Sequence, residues 1–251
     1  MIKVTVGLPI WDSGDISWLA IESLCRQETS VPWELLICEE EEGQSTRELI
    51  TKHSKELQAH GCISITTIKL QHHVPLSYKY RQMYKIAKGG VFMMQGADDW
   101  SHKNRIQNAY DAITSGADWF QSKLSLFYHL GIGKTILFDH DKHPTGHPCA
   151  PGMSWRTDLM RHLPDEHKAS AVDWWLFQNM TDGEDRDLVV AWEGDDQYRS
   201  LFTHGANKIS KSRGNYFVRI EKPFVPTDIN GLDVLPPDIA KRLEQMLGYG
   251  I

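Results

Sequence analysis

Between residues 1 and 115 the chain alternates short apolar, β-branched runs with segments of helical period, and this alternation restricts the fold more than any other feature. Lys3 to Pro9, Glu34 to Cys38, Ile63 to Leu70 and Val91 to Met94 are strand-like. Ile16, Leu19, Ala20 and Leu24 follow helical spacing, with Asp15 placed as an N-cap. A polar helix is expected from Ser45 to His60, closed by Gly61. Tyr80, Met83, Tyr84 and Ala87 mark another helix, stopped by Gly89 and Gly90, and Ile106, Ala109, Tyr110 and Ile113 line one face of a fourth. Strands alternating with helices build a mostly parallel sheet with helices on both faces. Such sheets take ligands at the carboxyl ends of their strands. Both acidic clusters, Glu39 to Glu42 and Asp98 with Asp99, fall at expected strand ends.

The second half is less regular. Asp118 to Leu130, Lys134 to Phe138, Leu188 to Trp192 and Tyr216 to Ile220 are strand-like. Short helices are expected over Thr157 to His162 and over Asp173 to Met180, and an amphipathic helix over Pro236 to Leu247. No internal repeat or linker interrupts the chain. The expectation is one domain, residues 1–251, with a nucleotide-binding half to about residue 115 and an acceptor-binding half from about residue 116.

With 251 residues, 41% of them hydrophobic, the chain can bury a sizeable core. Its net charge of −6 gives no general attraction to nucleic acid or anionic membrane. Cys25, Cys38, Cys62 and Cys149 are scattered without a C-x-x-C pair, which predicts reduced cysteine. The N-terminus enters a strand directly, and no apolar run is long enough to span a bilayer. A cytoplasmic protein is the expectation.

Asp98 and Asp99 follow a buried strand, so a carboxylate there can enter the strand-end crevice and hold a divalent cation against a diphosphate. Taken alone the pair reads first as a solvated turn that caps a helix at His102. The surrounding blocks add to this. Val4-Thr-Val-Gly-Leu-Pro-Ile10, Leu24-Cys-Arg-Gln27 and Trp33-Glu-Leu-Leu-Ile-Cys-Glu-Glu40 resemble the first β-α-β unit of the family 2 glycosyltransferases of the GT-A fold. Ala87 to Trp100 resembles that family's K-G-x-h-h-h-h-D-x-D-D-W signature, with h a hydrophobic residue. In one departure, Gly96 stands where the family's first Asp is usual.

The resemblance implies an α/β, GT-A-like (Rossmann-like) mostly parallel sheet flanked by helices, with a smaller mixed α+β region on the acceptor side. It implies an inverting glycosyltransferase that moves a sugar from a nucleotide-sugar, UDP-linked for preference, to an acceptor hydroxyl. Asp98 aligns with the metal-binding Asp, and Asp99 is a further possible ligand. Val172-Asp-Trp-Trp-Leu-Phe177 resembles the segment that carries the general base, which assigns that role to Asp173. Met153 to Met160 resembles the segment lining the acceptor pocket, so Trp155, with Trp174 and Trp175, is expected at the acceptor. Tyr198 to Ser210 resembles a Y-R-x-H-x-x-N-x-S stretch that makes His204 a candidate metal ligand, and imidazole suits Mn2+ better than Mg2+. Glu39 or Glu40, with Pro9, Trp11 and Asp12, would frame the donor base and ribose, and Lys79 or Arg81 would meet phosphate. The plain reading of each is a surface charge.

Three other readings compete. Gly96 and Val172 would suit a catalytically inactive nucleotide-sugar-binding module. A nucleotidyltransferase also uses strand-end carboxylates and a metal. Lys208-Ile-Ser-Lys-Ser212 resembles the K-M-S-K-S loop of class I aminoacyl-tRNA synthetases, but no H-x-G-H follows the first strand. The histidine-rich loop from His140 to His147 matches no closed zinc spacing and reads as an acceptor-side loop. The acceptor itself, whether sugar, lipid-linked sugar, protein or modified base, has no signature in the second half.

Overall fold

The computed structural model of the chain describes residues 1–10, 16–41, 46–122, 124–129, 134–139, 153–164, 172–183, 190–193, 201–204, 224–226 and 230–246. Trp11, Asp12, Asp15, Lys208 to Ser212, the His140 to Cys149 loop and the expected strand Tyr216 to Ile220 lie outside the described residues.

Four strands stand where the sequence pattern puts them: β1 (Val4–Pro9), β2 (Trp33–Glu40), β3 (Cys62–Leu70) and β4 (Val91–Met94). They are connected by α1 (Trp18–Leu24), α2 (Arg47–Ala59) and α3 (Leu76–Tyr84). β1 pairs in parallel with β2 and β4, and β2 in parallel with β3. Because successive strand side chains point to opposite faces, apolar runs buried on both sides supply two cores. Val4, Val6, Leu8, Leu35, Ile37, Val91 and Met93 fill one, together with Ala20, Ile21, Leu24 and Leu57 from α1 and α2. Leu36, Cys38, Phe92 and Met94 fill the other, against Tyr80 and Met83 of α3. Gly61 closes α2 at φ 89°, the left-handed conformation in which glycine carries no Cβ penalty.

The chain continues through β5 (Asp99–Trp100), α4 (Arg105–Thr114), β6 (Trp119–Ser122), β7 (Leu124–His129), β8 (Lys134–Asp139) and β9 (Ser154–Arg156). A 3-10 helix, Thr157–His162, precedes α5 (Val172–Gly183), β10 (Val190–Glu193), β11 (Leu201–His204), β12 (Phe224–Pro226) and α6 (Pro237–Glu244). A seven-stranded sheet runs in the order β10-β6-β9-β4-β1-β2-β3, and β9 is antiparallel to both its neighbours. A five-stranded mixed sheet runs β12-β8-β7-β11-β5.

The continuous strand expected from Asp118 to Leu130 is two strands that serve different sheets, β6 and β7. Likewise α3 ends at Tyr84, short of Ala87, and α4 begins at Arg105 rather than His102. At the far end of the chain, α6 buries Ile239 and Leu243 among Ile16, Trp18 and Leu19. Arg242 lies 3.6 Å above the Trp18 ring, and Arg26 reaches Asp238 at 2.7 Å. Among the described residues no helix is long and apolar enough to cross a membrane.

Candidate functional site

The C-terminal ends of β1, β2 and β4 form one rim. Pro9 stands opposite Cys38, and Gly7 opposite both Leu36 and Met94. Two backbone hydrogen bonds extend the rim past the strands: the Ile10 N–H donates to the Cys38 carbonyl at 2.8 Å, and the Gln95 N–H to the Gly7 carbonyl at 2.9 Å. The segment Gln95 to Asp99 therefore leaves β4 directly beside the end of β1.

A buried polar brace fixes the shape of that segment. The Gln95 amide donates to the Gly96 and Asp99 carbonyls at 3.1 and 2.9 Å, and its oxygen accepts from Ser101 at 2.5 Å and from Arg105 at 3.1 Å. Arg105, the first residue of α4, also donates to the Met94 carbonyl and to Ser101. The Asp99 N–H closes the turn onto the Gly96 carbonyl at 3.3 Å. Gln95, Ser101 and Arg105 are all buried. A guanidinium inside the protein is tolerated because carbonyls and side-chain oxygens surround it.

This brace presents two adjacent carboxyl groups differently. Asp98 is half-buried, at the rim, whereas Asp99 is buried. Burial pushes the Asp99 carboxyl well above its ordinary value, the neighbouring Asp98 charge adds to the rise, and Arg105 opposes it. Asp99 turns back beneath the strand end. A Cβ on Gly96 would stand 1.9 Å from its Oδ2, so the residue at 96 is glycine because the Asp99 carboxyl fills the space a side chain would need. Hard oxygen donors at a negatively charged rim suit a divalent cation such as Mg2+ or Mn2+.

On β2 the glutamates are structural anchors as well as rim residues. Glu39 is buried and accepts from the Thr46 N–H at 2.9 Å and the Thr46 hydroxyl at 2.7 Å, at the start of α2. Glu40 is paired with Lys79 at 2.8 Å and accepts from the Val74 N–H at 3.1 Å, with His73 Nδ1 at 3.0 Å from its other oxygen. Burial raises the Glu40 carboxyl, but the bonds from Lys79, Val74 and His73 outweigh it and leave the group below its ordinary value. Lys79 is buried and also donates to the Ile10 carbonyl at 2.7 Å, so this pair ties α3 to the ends of β1 and β2. Arg81 donates to the Leu163 and Pro164 carbonyls at 2.8 Å, which directs its guanidinium to the segment after the 3-10 helix. Pro9, the last residue of β1, is partly exposed at the rim.

Across the turn, β11 pairs with β5, setting Phe202 opposite Asp99 and Leu201 opposite Trp100. β11 then runs on to His204, which carries that position towards the Asp98 side of the turn. Asp173 is the second residue of α5, after Val172, which is buried in the core that holds Met94 and Met153. At Asp173, Trp174 and His204 only the backbone is described. Trp155 is fully enclosed, stacked between Phe92 at 5.6 Å and Trp119 at 5.1 Å, and so supports the wall from behind. Trp175 is 38% exposed on α5.

Gln95, Ser101 and Arg105 went unassigned from the sequence. A Gln ahead of the acidic pair and an Arg at a helix start carry no signal by themselves, because both are ordinary surface residues.

No family model matches the chain, and no curated protein matches it. Solved structures do. S. aureus TarS 1-349 in complex with UDP-GlcNAc superposes with a TM-score of 0.61 at 14% identity, over 97% of this chain and 70% of that one. Mannosyltransferase PcManGT from Pyrobaculum calidifontis, in complex with GDP-Man and Mn2+, gives 0.54 at 10% identity over 98% and 69%. Glucosyl-3-phosphoglycerate synthase from Mycobacterium tuberculosis, in complex with Mn2+, UDP and phosphoglyceric acid, gives 0.51 at 10% over 76% and 68%. The likeness is one of fold: the chain has the GT-A glycosyltransferase fold.

Proposed function

We propose that the protein is a glycosyltransferase that takes a sugar from a nucleoside diphosphate donor, UDP-linked for preference, and passes it to an acceptor hydroxyl. The observation that carries the reading is the position of Asp98, a half-buried carboxylate held by the Gln95–Arg105 brace where β4 ends beside β1. The nucleotide-sugars and Mn2+ named for the structural neighbours support it. In this reading the protein works as one domain, with a donor half to about residue 115 and an acceptor half beyond it.

Asp98 would hold a divalent cation, Mn2+ or Mg2+, with His204 as an additional ligand, while the buried Asp99 carboxyl turns away beneath Gly96; when bound, the cation would offset the charge that builds on the diphosphate as it leaves. Asp173 would take the proton of the acceptor hydroxyl as its oxygen attacks the anomeric carbon. The new C–O bond forms as the bond from that carbon to the diphosphate breaks. The electron pair leaves with the nucleoside diphosphate, and the anomeric carbon inverts. Pro9, Trp11, Asp12, Glu39 and Glu40 would frame the donor base and ribose. Lys79 would set the rim through Glu40, and Arg81 would brace the segment after the 3-10 helix through the Leu163 and Pro164 carbonyls rather than meet phosphate. Trp174 and Trp175 would face the acceptor, with Trp155 behind them.

The test is a thermal-shift panel of nucleoside diphosphates, with and without Mn2+, on wild type and Asp98→Ala. A ligand that binds only the folded state at one hundred times its Kd adds about 2.7 kcal/mol of stability. Mn2+-dependent stabilisation by UDP, lost in Asp98→Ala, is expected, together with release of free UDP when an acceptor is supplied. Stabilisation by ATP alone, indifferent to Asp98, would overturn the proposal in favour of the synthetase-like reading.

A further inference from the structure

Away from the rim, α1 and α2 bring together side chains that the proposed chemistry does not use. Glu22 and Cys25 are three residues apart at the end of α1, and His53 and Glu56 are three apart on α2, so each pair shares one helix face. These faces meet. Ligand atoms of Cys25, His53 and Glu56 all lie within 4.8 Å of one another. His53 Nδ1 is 2.7 Å from Glu56 Oε2, and His53 Nε2 is 3.7 Å from Glu22 Oε1.

A simple His–Glu pair does not account for this cluster. The His53 side chain is only 5% exposed, yet its buried Nε2 has no hydrogen-bond partner. An imidazole nitrogen left so costs stability. Two carboxylates and a thiol converge on one ring. Burial, then Glu56 and Glu22, push the Cys25 thiol up to about 12, and the two carboxylates bring negative charge to its side. Arg26 offsets part of it through Glu22, at 3.7 Å.

We propose that Cys25, His53 and Glu56 form a zinc-class metal site that joins α1 to α2, with Glu22 holding the imidazole from outside. Coordination through His53 Nδ1 turns the Nε2–H towards Glu22, the carboxylate–histidine–metal arrangement found at many zinc centres. Sulfur, nitrogen and oxygen donors together select Zn2+ or Co2+ over the Mg2+ and Mn2+ suited to an all-oxygen site. Atoms around a tetrahedral zinc stand roughly 3–4 Å apart, as follows from bonds of about 2.0–2.3 Å. The Glu56 side chain is 60% exposed and is free to make that adjustment. A divalent ion then meets the charge of the Cys25 thiolate and the Glu56 carboxylate, while Arg26 stays shared between Glu22 at 3.7 Å and Asp238 at 2.7 Å. The Cys25 proton leaves to solvent as the metal enters. Three protein ligands leave one position for water.

The probe is Co2+ added to the chelator-treated 251-residue protein. One equivalent should give a thiolate-to-cobalt charge-transfer absorption, displaced by Zn2+ and retained in Asp98→Ala, which separates this site from the rim. Cys25→Ser should abolish the absorption. Glu56→Gln, altering an exposed side chain, should fold normally and bind Co2+ at least tenfold more weakly, and Glu22→Gln about 10- to 100-fold more weakly. No charge-transfer band in wild type, or a band unchanged in Cys25→Ser, overturns the proposal. Wild-type affinity in Glu56→Gln does the same, and that variant decides the matter alone if Cys25→Ser fails to fold.

Discussion

Asp99 occupies the space that a side chain at Gly96 would take: a Cβ there would stand 1.9 Å from Asp99 Oδ2 and 2.7 Å from its Cγ. Gly96→Ala therefore forces the Asp99 carboxyl out of its buried place. The expected cost is about 1–3 kcal/mol, as for other overpacked interiors, with weaker Mn2+-dependent nucleotide binding alongside. Asp99→Ala in the same chain should recover most of that stability. A double-mutant cycle read by urea denaturation checks this, and strictly additive costs would count against the contact.

The Asp99 carboxyl is raised above its unfolded value, so the folded state binds its proton more tightly than the unfolded state does. Stability from this group is fully present below the unfolded carboxylate value, about 3.9, and is lost as pH rises towards the folded one. Asp99→Asn removes the ionisation. In chelator, the variant should be more stable than wild type near neutral pH, and the difference should shrink on acidification. Melting temperatures from pH 4 to 8 give the answer; a gap that widens towards acid would contradict the burial of this group.

Glu40 has the opposite sign. Its carboxyl lies below its ordinary value, so its contribution is complete above the unfolded value and disappears as pH falls through the folded one. The Lys79–Glu40 pair is nearly inaccessible, at 2% and 1% side-chain exposure. Glu40→Gln leaves a buried ammonium with neutral oxygens but no countercharge, and about 3–5 kcal/mol is the expected loss. Chemical denaturation at neutral pH measures it. A loss under 1 kcal/mol would place the pair in water.

Arg242 and Trp18 offer a milder test. The guanidinium of exposed Arg242 lies 3.6 Å over the buried Trp18 indole. Arg242→Ala should lower stability by about 0.5–1 kcal/mol, the usual worth of such a contact in water. Because α6 is held also by Ile239 and Leu243, the fold should survive, and circular dichroism should be unchanged.

The strands β1 to β4 were legible because their short apolar or β-branched runs alternate with helical segments, although β3, at the sheet edge, leaves residues such as Ile63 exposed. Asp98 was legible for the same reason, being the first rim carboxylate after such a run. β9 was not, because three residues between a loop and a 3-10 helix have no period to read. The break between β6 and β7 was hidden too, since Trp119 to His129 carries no glycine or proline to mark a turn and only the pairing partners distinguish the two strands. The reason for Gly96 depends on where Asp99 turns, and the role of Arg105 on carbonyls from Met94 and Met153. Both are tertiary facts. Glu40 and Lys79, read as separate donor contacts, are partners, a pairing that sequence distance conceals.

The position of β9 also bears on how the molecule comes to exist. These three residues sit between β4 and β6, so the middle of the large sheet is supplied late in synthesis. Until Ser154 to Arg156 emerge, β4 has one open edge, β6 has no neighbour on that side, and Phe92 and Trp119 lack the indole that stacks between them. Closure spans a long stretch of chain and belongs to the slow class of folding events. A nascent chain that stalls before this point exposes a strand edge able to pair with another copy. The two halves of the sequence therefore mature together, since β10 and β11, which pair with β6 and β5, are made later still.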